Sequence, residues 1–179
     1  MSWLETQVLQ PCRIAIPGCG QGWEVATLAA RDFQVVGIDY TEAAVSLVQE
    51  KLLSQGLDAE IIQADVLEYQ PEIQFDAVYE QTCLCAISPD YWVRYAIQLQ
   101  HWIKPGGALY LIFMQINRPG ARKGLVQGPP FHCDINAMHA LFNPMCWAWP
   151  EQNPVRIEHP QGWSELAIRL LRKPDVVLT

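Results

Sequence analysis

The run Arg13-Ile14-Ala15-Ile16-Pro17-Gly18-Cys19-Gly20-Gln21-Gly22 limits the possible folds of this chain more than any other segment. A short strand pattern meets Pro17 and a glycine cluster, and a helical pattern then runs from about Gln21 to Arg31, with Val25, Leu28 and Ala29 on one face. A second strand, Phe33–Ile38, follows and ends at Asp39. Strand, tight turn, helix and strand in this order make a crossover unit, which requires a parallel sheet.

The alternation continues without repeats. Thr41 is placed to cap a helix carrying Ala44, Leu47, Val48 and Leu52, and Gly56 to stop it. A third strand, Ala59–Gln63, leads into Asp65, and a fourth, Phe75–Tyr79, ends at Glu80. Ser88-Pro89 opens a helix with an apolar stripe of Trp92, Tyr95, Ala96, Leu99, Trp102 and Ile103. Lys104-Pro105-Gly106-Gly107 turns the chain into the apolar strand Ala108–Met114, and Asn117–Asp134 follows as a long aperiodic loop. Ile135–Phe142 reads as a short helix and Glu165–Arg172 as the last strand. Met145–Trp149 and Val155–Glu158 are expected to supply one further strand and its connection. The reading is α/β, one domain over residues 1–179, consistent with 179 residues of which 50% are hydrophobic.

Charge narrows the partners. Nineteen Asp and Glu against 12 Lys and Arg leave a net charge of −7, which argues against binding nucleic acid or an anionic membrane. No run approaches the roughly 20 apolar residues of a membrane span, and the N-terminus lacks a signal-peptide profile, so a cytoplasmic location is expected. The cysteines at 12, 19, 83, 85, 133 and 146 include no CxxC pair and read as reduced, packed thiols; no metal site is expected.

Glycines between a strand and a helix let the backbone turn sharply and let a ligand approach the peptide plane, where the helix start offers free N–H groups. A dinucleotide fingerprint needs its third glycine where Trp23 stands, which disfavours a nicotinamide dehydrogenase. Asp39, at the end of the next strand, can accept ribose hydroxyls or cap the following helix. Asp65-Val66 adds a carboxylate for an adenine amino group, a backbone N–H for the ring and an apolar side chain for its face. In an open α/β sheet these strand ends line one crevice.

Pro17-Gly18-Cys19-Gly20-x-Gly22, Val36-Gly37-Ile38-Asp39, Ala64-Asp65-Val66, Phe75-Asp76 and Lys104-Pro105-Gly106-Gly107 together resemble an S-adenosylmethionine-dependent methyltransferase of the Rossmann-like class. Within it, Tyr79 to Ile87 with Pro89, and Gly128-Pro129-Pro130-Phe131, resemble the thiopurine S-methyltransferase family, which includes thiol and halide methyltransferases. The resemblance covers roughly Cys12 to Pro174. It implies a seven-stranded, mostly parallel sheet with helices on both faces and an antiparallel C-terminal strand, and S-adenosylmethionine as cofactor. It assigns Pro17, Gly18 and Gly20 to the methionine part, Asp39 to the ribose, and Asp65 and Val66 to the adenine, with Tyr40 a further cofactor-binding residue. Glu80 would close the site near the sulfonium, where a carboxylate is attracted to a cation. Gln81 stands where thiopurine enzymes carry a substrate-facing arginine, and Glu80 and Gln81 are the catalytic candidates.

Methyl transfer from a sulfonium is an in-line displacement, so the protein must chiefly hold the reacting atoms collinear and dry. A thiol, with an ordinary pKa of about 8.5, needs little more, whereas an amine or alcohol would want a base, and no dedicated base stands out. A small-molecule acceptor with a thiol, thiopurine-like sulfur or related soft nucleophile is expected. Gln81, Pro129, Pro130 and Phe131 are its candidate contacts, Arg118, Arg122 and Lys123 lie near the mouth, and His132 is a candidate for proton transfer. The competing reading is a non-catalytic cofactor-binding regulator or partner subunit. Only Met1–Pro11 precede the first strand, with Trp3 as the sole aromatic, so the lid over the cofactor is expected to be short or missing. The expected assembly is a monomer or homodimer.

Overall fold

The computed structural model describes residues 5, 6, 8–116, 118, 120, 125–158 and 162–175. Among the described residues eight strands form one sheet: β1 (Arg13–Pro17), β2 (Gln34–Asp39), β3 (Glu60–Gln63), β4 (Phe75–Gln81), β5 (Ile103–Gln115), β6 (Trp147–Ala148), β7 (Val155–Glu158) and β8 (Ser164–Arg172). The order is β3-β2-β1-β4-β5-β8-β6, with β7 also on β8. β1 to β5 run parallel, and β8 pairs antiparallel with β5, β6 and β7.

The expected seven strands are therefore eight. The outermost position is divided: β6 lies opposite Arg172 and Leu171, while β7 lies opposite Ala167 to Ser164. Pro150 and Pro154 stand between the two pieces, and proline has no N–H to continue a ladder.

Helices α1 (Trp23–Ala29) and α2 (Glu42–Gln55) cover one face, burying Val25, Leu28, Val48 and Leu52 against Ile14, Ile16 and Val35. Helices α4 (Trp92–Trp102) and α5 (Ile135–Leu141) cover the other, where Tyr95, Leu99, Trp102, Met138 and Phe142 pack with Ala15, Val36 and Val78. Thr41 caps α2 by accepting from the Ala44 N–H at 3.3 Å, and Gly56 ends it at φ +62°. α1 starts later than its sequence pattern because Gly22 is its N-cap at φ +67°. Lys104-Pro105-Gly106-Gly107 is drawn into β5 as an irregularity: the chain takes five steps from Ile103 to Ala108 while β4 takes two from Phe75 to Ala77. One element has no periodic signal, the four-residue helix α3 (Cys83–Ala86) directly after β4. The six cysteines are free thiols. Among the described residues no helix is long and apolar enough to cross a membrane.

Candidate cofactor and acceptor site

The parallel strands β1 to β4 end on one edge, and the turns leaving them carry the residues singled out above. The glycine loop is pinned there from below: Cys19 N donates to Ile38 O at 3.1 Å, Gly22 N to Cys19 O at 2.8 Å, and Gly20 N to Asp39 Oδ2 at 2.9 Å. Its glycines do different work. A Cβ on Gly22 would lie 2.7 Å from both Val48 methyl carbons, and one on Gly18 2.9 Å from Cys83 Sγ, so both allow elements to pack closely. At Gly20, φ +50°, the nearest atom to such a Cβ is Gly18 O at 3.8 Å, and that side is open. A cavity of about 230 Å³ lies against the loop, lined by Gly18, Gly20, Trp23, Tyr79, Gln81 and Thr82. Pro17, at the foot of the loop, is buried.

Asp39 is bonded to the glycine loop and to Thr41, the cap of α2. Oδ1 accepts from Thr41 N and Thr41 Oγ1, each at 3.0 Å, and Oδ2 from Gly20 N. A carboxylate offers about four lone-pair sites, so roughly one strong further bond remains for a diol. Tyr40 beside it is exposed. Asp65 closes the turn after β3, its Oδ1 accepting from Leu67 N at 2.9 Å, and Val66 is packed at the edge of the core. That turn is clamped from α4. Gln98 Nε2 donates to Leu67 O at 3.0 Å and Tyr69 O at 3.1 Å, Gln98 Oε1 accepts from Gln70 Nε2 at 2.8 Å, and Trp102 Nε1 donates to Tyr69 O at 3.0 Å. Gln98 belongs to no motif, and its one signal in the sequence is a polar residue three positions after Tyr95 within the apolar stripe.

Glu80 is completely buried. Its Oε1 accepts from Leu84 N at 2.6 Å, holding α3 to the end of β4, and the buried Tyr95 hydroxyl lies beside both Glu80 and Cys83. Burial pushes its pKa up to about 8, against the opposing pull of the α3 N–H groups. At neutral pH the carboxyl is therefore mostly protonated, whereas attraction to a sulfonium requires its charged form. Thr82, the link to α3, has φ +68°, a strained value for a β-branched residue that the sharp turn demands. Gln81 faces the opposite side of β4, accepting from the Tyr79 hydroxyl at 3.3 Å and donating to Glu165 Oε2 at 3.4 Å. Cys19 is a poor nucleophile, its pKa pushed up to about 12 by burial and then by Asp39.

The loop with Gly128-Pro129-Pro130-Phe131 docks beside α3, where Phe131 N donates to Cys85 O at 2.7 Å. The Gly128-Pro129 and Pro129-Pro130 bonds are cis. A cavity of about 250 Å³ opens there, with Phe131, Arg118 and His132 in its lining; Pro129 and Pro130 stand outside that lining. His132 Nδ1 accepts from Ile116 N at 3.1 Å. Arg122 and Lys123 lie outside the described residues, as do residues 1–4 and 7, on which the expectation of a short lid partly rests.

Residues 1–161 match the family described as thiopurine S-methyltransferase. The chain belongs to that family. It is 28% identical over 144 residues to probable thiol methyltransferase 2 of Arabidopsis thaliana, covering 79% of this chain and 61% of that protein. It is 28% identical over 168 residues to thiocyanate methyltransferase 1 of the same plant, covering 91% and 71%, respectively. Thiopurine S-methyltransferase of Pseudomonas aeruginosa (strain UCBPP-PA14) is 32% identical over 134 residues, 66% of this chain and 59% of that one. The first and third of these matches thus cover about three-fifths of the relative's length. Two solved structures share the fold. A SAM-dependent methyltransferase from Methanosarcina mazei superposes with TM-score 0.81 at 18% identity, covering 98% of this chain and 99% of that one. Magnesium protoporphyrin IX methyltransferase from Synechocystis, with bound S-adenosylhomocysteine, gives 0.77 at 17% identity, covering 96% and 79%. Methyltransferases dependent on S-adenosylmethionine make up this family, and the residues present suit that cofactor: an open glycine face, strand-end carboxylates for hydroxyl and amino donors, and an apolar Val66 beside them.

Proposed function

We propose that this chain transfers a methyl group from S-adenosylmethionine to a small-molecule acceptor, most readily a thiol or thiopurine-like sulfur or a related soft nucleophile. The observation that carries the reading is the open face of Gly20, a left-handed glycine that packing does not require, on the same sheet edge as Asp39 and Asp65. S-adenosylmethionine supplies, when bound, an electrophilic methyl carbon on a sulfonium. Pro17, Gly18 and Gly20 shape the seat for its amino-acid end, Asp39 and Tyr40 hold the ribose, and Asp65 and Val66 hold the adenine. Glu80 acts from beneath: it fixes α3, and Cys83 of α3 backs Gly18. Gln81 borders the seat, and Phe131, with Pro129 and Pro130 beside it, walls the acceptor side. These residues position and dry the reacting atoms, which is most of what a thiolate displacement asks of a protein. A cytoplasmic location and a monomeric or homodimeric assembly belong to the same reading.

Incubation with methyl-labelled S-adenosylmethionine and a panel of thiols, thiopurines, iodide, selenite and tellurite tests it. Label is expected in a volatile or organic-extractable product. Tight binding of S-adenosylhomocysteine with no transfer to any acceptor would refute catalysis and favour a binding regulator.

A further inference from the structure

Trp23 stands where a dinucleotide fingerprint has its third glycine, and the fold does not need an indole there. It is the first residue of α1, whose buried residues are Val25, Ala26 and Leu28, and it is itself 63% exposed. Single exposed aromatics are ordinary on a protein surface, but this one is held in place. Its Nε1–H donates to Gln21 Oε1 at 3.0 Å, and Lys51 Nζ, reaching across from α2, lies 3.6 Å from the ring centroid. The same ammonium donates to Gln21 O, so Gln21, Trp23 and Lys51 brace one another beside the glycine loop.

The braced ring lines the cavity of about 230 Å³ together with Gly18 and Gly20 of the loop and Gln81 and Thr82 at the end of β4. That volume falls below the roughly 300–1,000 Å³ of pockets that enclose a whole small ligand, so the cavity takes one end of a cofactor. Asp39, Asp65 and Val66 stand outside its lining, which leaves the end opposite the adenosine. That end is an amino acid joined by two methylenes to a sulfur. An indole offers the methylenes apolar area and the sulfur a favourable aromatic contact. A side chain already fixed in position has little freedom left to lose when the ligand arrives.

We infer that Trp23, steadied by Lys51, covers the amino-acid end of the cofactor and makes the site prefer ligands that carry that end. This rests on the reading of the glycine loop as the seat of S-adenosylmethionine. Calorimetry on the full chain compares S-adenosylhomocysteine with 5′-methylthioadenosine, which keeps the adenosine and the sulfur but ends in a methyl group. Trp23→Ala is expected to lower the affinity for S-adenosylhomocysteine about fivefold or more while leaving that for methylthioadenosine within about twofold. Trp23→Phe should recover part of the loss. Lys51→Ala, which keeps the indole and removes its brace, should show a smaller loss of the same selective kind, and it carries the test should Trp23→Ala fail to fold. Variants that keep the wild-type ratio of the two affinities, or that weaken both ligands alike, would overturn the inference and leave the cofactor seat standing. A wild type that binds neither ligand would refute the seat itself, and the inference with it.

Discussion

Replacing Gly20 and Gly22 separately by alanine distinguishes a loop built for a ligand from one built only for packing. Both glycines are left-handed, at φ +50° and +67°, so an added Cβ costs about 1–2 kcal/mol at either position. At Gly22 the new carbon would also press on both Val48 methyl carbons at 2.7 Å, an overpacking worth about 1–3 kcal/mol more. Gly22→Ala should therefore lose about 2–5 kcal/mol of stability in chemical denaturation, a fall of about 2–4 °C in Tm for each kcal/mol. Gly20→Ala meets nothing closer than Gly18 O at 3.8 Å, so its stability loss should stay at the backbone cost of about 1–2 kcal/mol, below that of Gly22→Ala. Its effect should fall on the ligand. A methyl in the space where S-adenosylhomocysteine approaches the backbone should cost about 1–3 kcal/mol, or about five- to 150-fold in Kd by calorimetry. The reasoning is refuted if Gly20→Ala binds S-adenosylhomocysteine as the wild type does, or if its stability falls as far as that of Gly22→Ala.

Three further outcomes follow from the same geometry. Asp39→Ala removes bonds to Gly20 and Thr41 as well as a ribose contact, so denaturation should show a loss of about 1–3 kcal/mol alongside weaker S-adenosylhomocysteine binding; unchanged affinity would refute the ribose assignment. Glu80, with its pKa raised from 4.5 to about 8 by burial, binds a proton in the folded chain over a range where the unfolded chain has released it. Its contribution to stability is fully present below about pH 4.5 and is lost as pH rises to about 8, with a slope near 1.4 kcal/mol per unit; Glu80→Gln should flatten that slope in denaturation series, and an unchanged slope would count against it. Gln98→Leu frees the turn that carries Asp65 and Val66, so calorimetry should show S-adenosylhomocysteine losing its advantage over the hypoxanthine analogue S-inosylhomocysteine, while a variant that keeps the full ratio would show that Gln98 does not orient the adenine seat.

The parallel half of the fold was readable because each strand ends on strong punctuation: Pro17 with the glycines, Asp39 before the Thr41 cap, and Asp65 after β3. α3 was not readable, since four residues are too few to show a period. It forms because Glu80 reaches forward to the Leu84 N–H, a contact four residues away that no apolar pattern records. The burial of Glu80 did leave a trace, because it stands two residues from the buried Val78 on the same face of β4. The split edge of the sheet depends on Pro150 and Pro154 interrupting a weak strand, and residue pattern alone does not tell whether such pieces pair with the same neighbour. Candidate site residues are legible in the sequence as types and spacings; their hydrogen-bond partners are not. Thus Asp39 divides its oxygens between the glycine loop and Thr41, and Arg118, a cation near the mouth by sequence, has a buried N–H without a partner.

A crystal structure of the chain with S-adenosylhomocysteine tests most directly whether the edge formed by β1 to β4 is the cofactor seat. The expected density has the adenine against Val66 within reach of Asp65, the ribose hydroxyls at Asp39, and the amino-acid end passing over Gly20 toward Gln81. Ligand density elsewhere, or a ribose that does not touch Asp39 and a backbone path away from Gly20, would contradict it.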